Sequence, residues 1–153
     1  FFFHAQAAIP DPLWSRGLGD VYKRQKVFGP IFVFFNGTNT LQYAHIDPST
    51  TSAYPPIQAP VDTFLASLGA CIVMSIKWST DQRKIVLNPF VIKVIGIKAF
   101  NIPNRIERID IEIIGNFIDN EDLITRIMRQ AKSICTVSNS LSCVVNFTAR
   151  NAL

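Results

Sequence analysis

The chain has 153 residues, a length that suits one domain with a hydrophobic core. Apolar residues make up 48% of it and charged residues 17%, which excludes a chain that is disordered throughout. The formal net charge is +4 and the Lys and Arg residues form no cluster, so nucleic-acid binding has little support. Three cysteines are too few for a disulfide-stapled secreted module, and this favours a reducing cytosol.

Residues 1–25 differ from the rest of the chain. They have no sustained periodicity and no initiator Met, and they lack the basic region of a secretory signal. The stretch 13–25 resembles translated adaptor sequence. We therefore expect a non-native or disordered N-terminal segment over 1–25, with the true N-terminus missing, and a single domain over 26–153.

A hairpin and a loop come first in the domain. Residues 26–35 are rich in β-branched and aromatic residues and predict a strand. Asn36-Gly37 follows, a dipeptide that favours a tight hairpin turn because both positions tolerate positive φ. Residues 40–46 are expected to return as a second strand. Residues 47–60 contain four prolines and predict a loop.

The next segment predicts a long apolar helix that ends near Thr80. Asp62 is a candidate N-cap. Almost no charge occurs before Lys77, so we expect the helix to be buried nearly all round and to need cover from other elements. Its most hydrophobic part, residues 64–76, is too short to cross a membrane. The apolar residues recur at helical spacing: Phe64, Leu65, Leu68, Cys71, Ile72 and Ile76.

The remaining elements complete the predicted order ββ–α–ββ–α–β. Residues 85–100 favour a strand in which Pro89 marks an edge or a start. Residues 105–117 predict the clearest strand, with Ile109, Ile111 and Ile113 on one face and Arg108, Asp110 and Glu112 on the other. Asp119 is expected to cap a second amphipathic helix. Apolar residues alternate along a final strand at Leu141, Cys143, Val145 and Phe147. This order predicts an α+β fold.

The cysteines are the main candidates for chemistry. Cys71 lies in the middle of the apolar helix, where a cysteine is most often a small core residue. Its local sequence shows no group that would stabilise a thiolate. Cys135 follows the second helix, whose dipole disfavours a thiolate there, so it suits a resolving cysteine better than a first attacker. Cys143 is interpreted as a core residue.

Two runs of sequence resemble a known family. The first is Pro60-Val-Asp-Thr-Phe-Leu-Ala-Ser-Leu-Gly-Ala-Cys71, and the second is Cys135-Thr-Val-Ser-Asn-Ser-Leu141. In this order, and with 135 − 71 = 64 residues between the cysteines, they resemble the OsmC/Ohr family of osmotically inducible and organic-hydroperoxide-resistance proteins. The resemblance covers residues 60–147, and weakly the hairpin from residue 26. It implies two long central helices wrapped by antiparallel β-sheets in an intertwined homodimer.

The resemblance also implies an activity. The chain would be a thiol-dependent peroxidase that reduces organic hydroperoxides, with Cys71 as the peroxidatic thiol and Cys135 as the resolving thiol. Cys71 would pass through a sulfenic acid to a disulfide, which an external dithiol or a lipoylated protein would reopen. The family needs no cofactor or metal. We expect no nucleic-acid or membrane partner and a cytoplasmic location.

One departure from the family leaves alternatives open. Members use an acid at the start of the cysteine helix and an arginine from the N-terminal β region. Asp62 holds the position of the acid, with N-capping as its other possible role. Residues 26–60 contain no arginine and offer Lys26, Gln42 and His45 instead. The alternatives to a peroxidase are a non-catalytic dimeric binding module and a redox sensor that forms the disulfide without turnover.

Overall fold

The computed structural model describes residues 24–150. The elements in chain order are β1 Val27–Phe35, β2 Gln42–His45, α1 Pro60–Asp81, β3 Phe90–Lys98, β4 Ile106–Ile114, α2 Glu121–Ile134, α3 Thr136–Asn139 and β5 Val144–Arg150. The predicted α+β class is confirmed, and the short helix α3 is an addition to the predicted order. Most of the predicted segment 1–25 lies outside the described residues. Its last residue, Gln25, donates a side-chain hydrogen bond to the Lys98 carbonyl at 2.9 Å.

The five strands form one sheet in the order β2-β1-β3-β4-β5. The pairs β1–β2, β1–β3 and β3–β4 are antiparallel, as expected. Strand β5 runs parallel to β4, which departs from the expected antiparallel pattern. The reason is the connection, because α2 and α3 form the crossover that a parallel pair requires.

Helix α1 packs closely against the inner face of the sheet. That face carries the alternating apolar residues of the strands, among them Ile31, Val33, Ile92, Val94, Ile109 and Ile111, all fully or almost fully buried. Gly69 permits the close approach. A Cβ atom at that position would lie 2.7 Å from Val33 Cγ2 and 3.2 Å from Val94 Cγ2. The sheet therefore fixes the position of α1, and with it the position of Cys71.

One face of α1 is left uncovered by residues 24–150 of a single chain. Ser67, Met74 and Trp78 recur on this face at helical spacing, and Met74 and Trp78 are 45% and 49% exposed. The prediction of burial nearly all round is therefore wrong for one chain. By length and composition α1 could cross a membrane, and 44% of its most apolar window is buried inside the fold.

Three local predictions need correction. Helix α1 begins at Pro60, so Asp62 lies in its first turn and is not the N-cap; Ala59 takes that position without a side-chain bond. Helix α2 is capped by Asn120, whose side chain accepts a hydrogen bond from the Asp122 amide, and not by its neighbour Asp119. Asn36-Gly37 does not form a two-residue turn, because pairing resumes only at Gln42, which lies opposite Phe34.

Candidate active site

The structure brings Cys71 and Cys135 together. Their sulfur atoms lie 3.1 Å apart. A disulfide bond is about 2.05 Å long, so a small movement of the two side chains would close one. Helix α1 presents Cys71 from its middle, and the chain presents Cys135 at the junction of α2 and α3. Both thiols are free.

The two thiols differ in their access to solvent. Cys135 is fully buried, whereas Cys71 is half-buried. Cys71 opens into a cleft of about 350 Å³. The side chains that line this cleft with Cys71 are mostly apolar: Met74, Ser75, Trp78, Ile134 and Thr136. A small molecule that enters from this side therefore meets the sulfur of Cys71 first.

The surroundings of Cys71 favour its neutral thiol. Burial is the main cause and raises the pKa of Cys71, and the neighbouring Cys135 raises it further. Hydrogen bonding from the Val137 backbone and from Ser75 acts in the opposite direction and lowers the pKa, without outweighing burial. Among residues 24–150, no Lys, Arg or His contributes to the shift. The described part of one chain thus lacks the cation that activates a thiol.

Cys135 lies at the junction of α2 and α3, of which the sequence predicted only α2. It is the C-cap of α2, as expected, but it is also the N-cap of α3. Its sulfur accepts a hydrogen bond from the Ser138 amide at 3.5 Å. This amide donor therefore faces the sulfur. Ser138 and Asn139 are poor signals of a helix, so the local sequence does not predict α3.

Asp62 is tied to the first hairpin. Its Oδ1 accepts a hydrogen bond from the Gly29 amide at 2.8 Å, and its Oδ2 lies 3.2 Å from His45 Nε2. Gly29 has a φ of +81° and sits where the β1–β3 register shifts, so its amide is turned out of the ladder towards α1. Of the three substitutes for an arginine, His45 is the one that pairs with Asp62.

Asp62 and the thiols are separate within one chain. Nine residues along a helix correspond to about 13.5 Å and two and a half turns. Asp62 and Cys71 therefore lie on opposite faces of α1 at different levels. A direct role of Asp62 at the Cys71 sulfur in the same chain does not follow from this geometry.

Cys143 lies apart from the thiol pair. It precedes β5 and is half-buried, and burial raises its pKa. It packs against the core, in agreement with its interpretation as a core residue. Within residues 24–150, no group of three or more His, Cys, Asp or Glu side chains could hold a metal ion. That the chain needs no metal or cofactor stays a prediction.

The fold agrees with the structures of known proteins. The structure of an OsmC-like protein from Mycoplasma pneumoniae matches with a TM-score of 0.54 at 15% identity, over 86% of this chain and 99% of that one. An organic hydroperoxide resistance protein OsmC from Legionella pneumophila matches with a TM-score of 0.52 at 13% identity, over 84% and 97%. The organic hydroperoxide resistance protein OhrB of Bacillus subtilis gives 0.51 at 12% identity, over 83% and 98%.

The TM-scores of these three matches show a shared fold. No curated protein matches the sequence. The family model of the OsmC-like proteins matches residues 57–150, which is more than half of the chain and includes Cys71 and Cys135. The chain belongs to the OsmC-like protein family.

Proposed function

We propose that this protein is a thiol-dependent peroxidase that reduces organic hydroperoxides through a cycle of Cys71 and Cys135. The observation that supports the proposal most directly is the 3.1 Å separation of the two sulfur atoms. Family membership and the hydroperoxide-resistance descriptions of structural relatives point to the same chemistry. We expect this cycle to operate in a reducing cytosol, where both thiols are regenerated.

The proposed cycle has three stages: oxidation of Cys71, closure of the disulfide and its reduction by a dithiol. The thiolate of Cys71 attacks the terminal peroxide oxygen, the O–O bond breaks, and the alkoxide takes up a proton and leaves as an alcohol. Cys71 is then a sulfenic acid. The sulfur of Cys135 attacks the Cys71 sulfur, the S–O bond breaks, and water leaves with the proton from Cys135. An external dithiol reduces the resulting disulfide in two exchange steps and becomes oxidised itself.

The difference in burial supports the assignment of the two roles. The peroxide has a path to Cys71 through the cleft, whereas Cys135 is fully buried with the Cys71 sulfur 3.1 Å away. Met74, Trp78 and Ile134 line this cleft, so it offers an apolar surface to an alkyl group. We therefore expect alkyl hydroperoxides to react faster than hydrogen peroxide.

The same difference predicts the direction of recycling. A reductant that approaches from the cleft attacks the Cys71 sulfur of the disulfide and expels Cys135 as the leaving thiolate. The Ser138 amide faces that sulfur and would stabilise the departing charge. A mixed disulfide between Cys71 and the reductant is the expected intermediate.

We propose further that the protein works as a homodimer. The uncovered face of α1 carries Met74 and Trp78 next to Cys71, and a second copy of the same helix would bury this apolar surface. A contact between two copies related by two-fold symmetry would also bring residues from a second chain to the cleft. In this proposal Asp62 and His45 act on the thiol of the partner subunit, since Asp62 is too far from Cys71 in its own chain.

A specific observation favours the binding-module alternative. The pKa of Cys71 is raised, and no cation of residues 24–150 counteracts the shift. A thiol with too little thiolate reacts slowly with peroxides. The cleft beside Cys71 would then hold an apolar ligand and no reaction would follow. The redox-sensor alternative differs from both, because it oxidises once and resists recycling by dithiols.

The deciding experiment measures the consumption of cumene hydroperoxide with dihydrolipoamide as the reductant. The wild-type chain is compared with Cys71→Ser and, as a matched control, with Cys143→Ser. Turnover that is lost in Cys71→Ser and kept in Cys143→Ser supports the peroxidase. Stoichiometric oxidation without turnover supports the sensor. Folded proteins that show neither reaction support the binding module.

A further inference from the structure

We propose that the side-chain hydroxyl of Ser75 stabilises the thiolate of Cys71, in the place of the cation that activates many reactive cysteines. This role rests on the proposed function, because Cys71 needs a thiolate only if it attacks a peroxide or a disulfide. The test below measures the thiol itself and uses no peroxide, so the role of Ser75 and the peroxidase can fail separately.

Ser75 follows Cys71 by about one helical turn. Both residues belong to α1, and residues four apart on a helix share a face. The Cα–Cβ bonds of a helix tilt towards its N-terminus, which directs the side chain of Ser75 towards Cys71. The Ser75 hydroxyl donates a hydrogen bond to the Cys71 carbonyl at 2.8 Å. The hydroxyl therefore lies beside the residue that carries the reactive sulfur.

The hydroxyl hydrogen of Ser75 has a second acceptor within reach. A serine hydroxyl has one hydrogen, which rotates to suit its neighbours. The same side chain also hydrogen-bonds the sulfur of Cys71, and this bond lowers the pKa of the thiol. When the hydrogen turns from the carbonyl to the sulfur, the carbonyl keeps the bond that the Ser75 backbone amide donates within α1. The rotation therefore leaves no buried acceptor without a partner.

Ser75 differs from the two hydroxyl residues that follow it in α1. Ser79 and Thr80 donate in the same way to carbonyls four residues earlier, and both are fully buried. This is a common way for serine and threonine within a helix to satisfy their hydroxyls. Of the three, only Ser75 lines the cleft of Cys71, and it is 7% exposed. Water therefore competes little for its hydroxyl, and Ser79 provides a matched control.

Few other groups act on the sulfur of Cys71. The Val137 backbone donates a hydrogen bond to it, and Cys135 raises its pKa. Among residues 24–150, Ser75 is the only side chain that acts on Cys71 by favouring the thiolate. An ionised sulfur accepts a stronger hydrogen bond than a neutral one, and burial strengthens that bond further. Loss of the Ser75 hydroxyl should therefore reduce the fraction of Cys71 that is ionised.

The test follows the rate of Cys71 alkylation by iodoacetamide against pH. The background is Cys135→Ala/Cys143→Ser, which leaves Cys71 as the only thiol and places no new hydroxyl at position 135. Ser75→Ala should raise the midpoint by about 0.5–1 pH unit, which means about three- to tenfold less thiolate at a fixed pH below the midpoint. Ser79→Ala should leave the midpoint unchanged.

A second pair of variants isolates the hydroxyl from the shape of the side chain. Threonine and valine have the same shape, but only threonine has a hydroxyl. Ser75→Thr should keep the midpoint that serine gives, whereas Ser75→Val should raise it as Ser75→Ala does. Urea denaturation shows that each variant is folded before its midpoint is compared.

Three results would overturn the role of Ser75: an unchanged midpoint in Ser75→Ala, an equal rise in Ser79→Ala, or equal midpoints in Ser75→Thr and Ser75→Val. If these results occur in a protein that turns over cumene hydroperoxide, the peroxidase stands without this role. A midpoint that rises only in Ser75→Ala and Ser75→Val supports the role of Ser75, even in a protein without turnover, where the proposed function would be wrong.

Discussion

The sulfur of Cys135 lies directly behind that of Cys71, 3.1 Å away and fully buried, while Cys71 reaches the surface cleft. This arrangement makes the two thiols chemically unequal although they are close enough to join. One has access to small molecules, and the other has access to its neighbour. The order of events in the proposed cycle follows from this inequality.

The first prediction concerns the sulfenic acid. In Cys135→Ser, cumene hydroperoxide should leave Cys71 as a sulfenic acid that dimedone labels, because no resolving thiol consumes it. In Cys71→Ser, Cys135 should remain unlabelled because it is fully buried. Mass spectrometry of the labelled peptides measures both. Labelling of Cys135 in Cys71→Ser would contradict the assigned roles.

The second prediction concerns the pH dependence of Cys71. Burial raises its pKa, so its alkylation by iodoacetamide should rise through a midpoint above the ordinary cysteine value of about 8.5. The unfolded chain releases this proton at a lower pH than the folded chain does. The free energy of unfolding should therefore fall as the pH rises from the ordinary cysteine value towards the raised one.

The measurement uses Cys135→Ser/Cys143→Ser, so that Cys71 is the only thiol that reacts. Burial is the largest cause of the shift and persists in this variant, so the midpoint should stay high. A midpoint below the ordinary value would show that a cation acts on Cys71. That result would locate the missing activating group outside the described part of one chain.

The sequence was sufficient to predict the elements but not all of their contacts. The strict alternation of Ile109, Ile111 and Ile113 predicted a strand whose inner face is buried, and this is confirmed. Local patterns carry such information because each side chain follows the period of its own element. The pairing of Asp62 with His45 and Gly29 depends on how the hairpin packs against α1, and no local pattern contains it.

The sequence also did not show which apolar residues of α1 are exposed within a single chain. The near absence of charge along α1 suggested burial on almost all sides, including the side of Met74 and Trp78, which lie outside its main apolar period. The composition of a helix shows how much apolar surface needs cover. It does not show whether the cover comes from the same chain. The exposed face of α1 is an example, because it is apolar and residues 24–150 of the same chain do not cover it.

The third prediction concerns the contact of α1 with the sheet. Gly69→Ala would place a Cβ atom 2.7 Å from Val33 Cγ2. Valine is stiff about χ1 and cannot turn aside easily, so α1 or β1 must shift. Overpacking outweighs the better helix propensity of alanine, and we expect a net loss of about 1–2 kcal/mol in the free energy of unfolding.

Urea denaturation measures this loss. Ser67→Ala is the matched control, because Ser67 is exposed two residues earlier in the same helix and should change stability by no more than about 0.5 kcal/mol. Equal stability of Gly69→Ala and Ser67→Ala would show that α1 does not depend on the small residue for its position.

The fourth prediction separates the two bonds of Asp62. Asp62→Ala leaves the Gly29 amide without its acceptor and should destabilise the fold by about 1–3 kcal/mol. Asp62→Asn keeps an oxygen for Gly29 and loses only the charge opposite His45, so it should cost about 1 kcal/mol or less. Urea denaturation of both variants compares them. Equal losses would assign the stabilisation to the contact with His45.

The last prediction concerns the uncovered face of α1. If a second copy covers it, the wild-type chain sediments as a dimer, and Met74→Glu sediments as a monomer because a carboxylate would be buried at the contact. Val86→Glu is the matched control, since Val86 is 77% exposed and lies outside the helices and strands. It should remain dimeric.

The peroxidase assay links this contact to function. If Asp62 acts on the thiol of the partner subunit, Met74→Glu should lose turnover while Cys71 remains available for alkylation. A monomeric wild-type chain with full turnover would show that one chain contains the complete site.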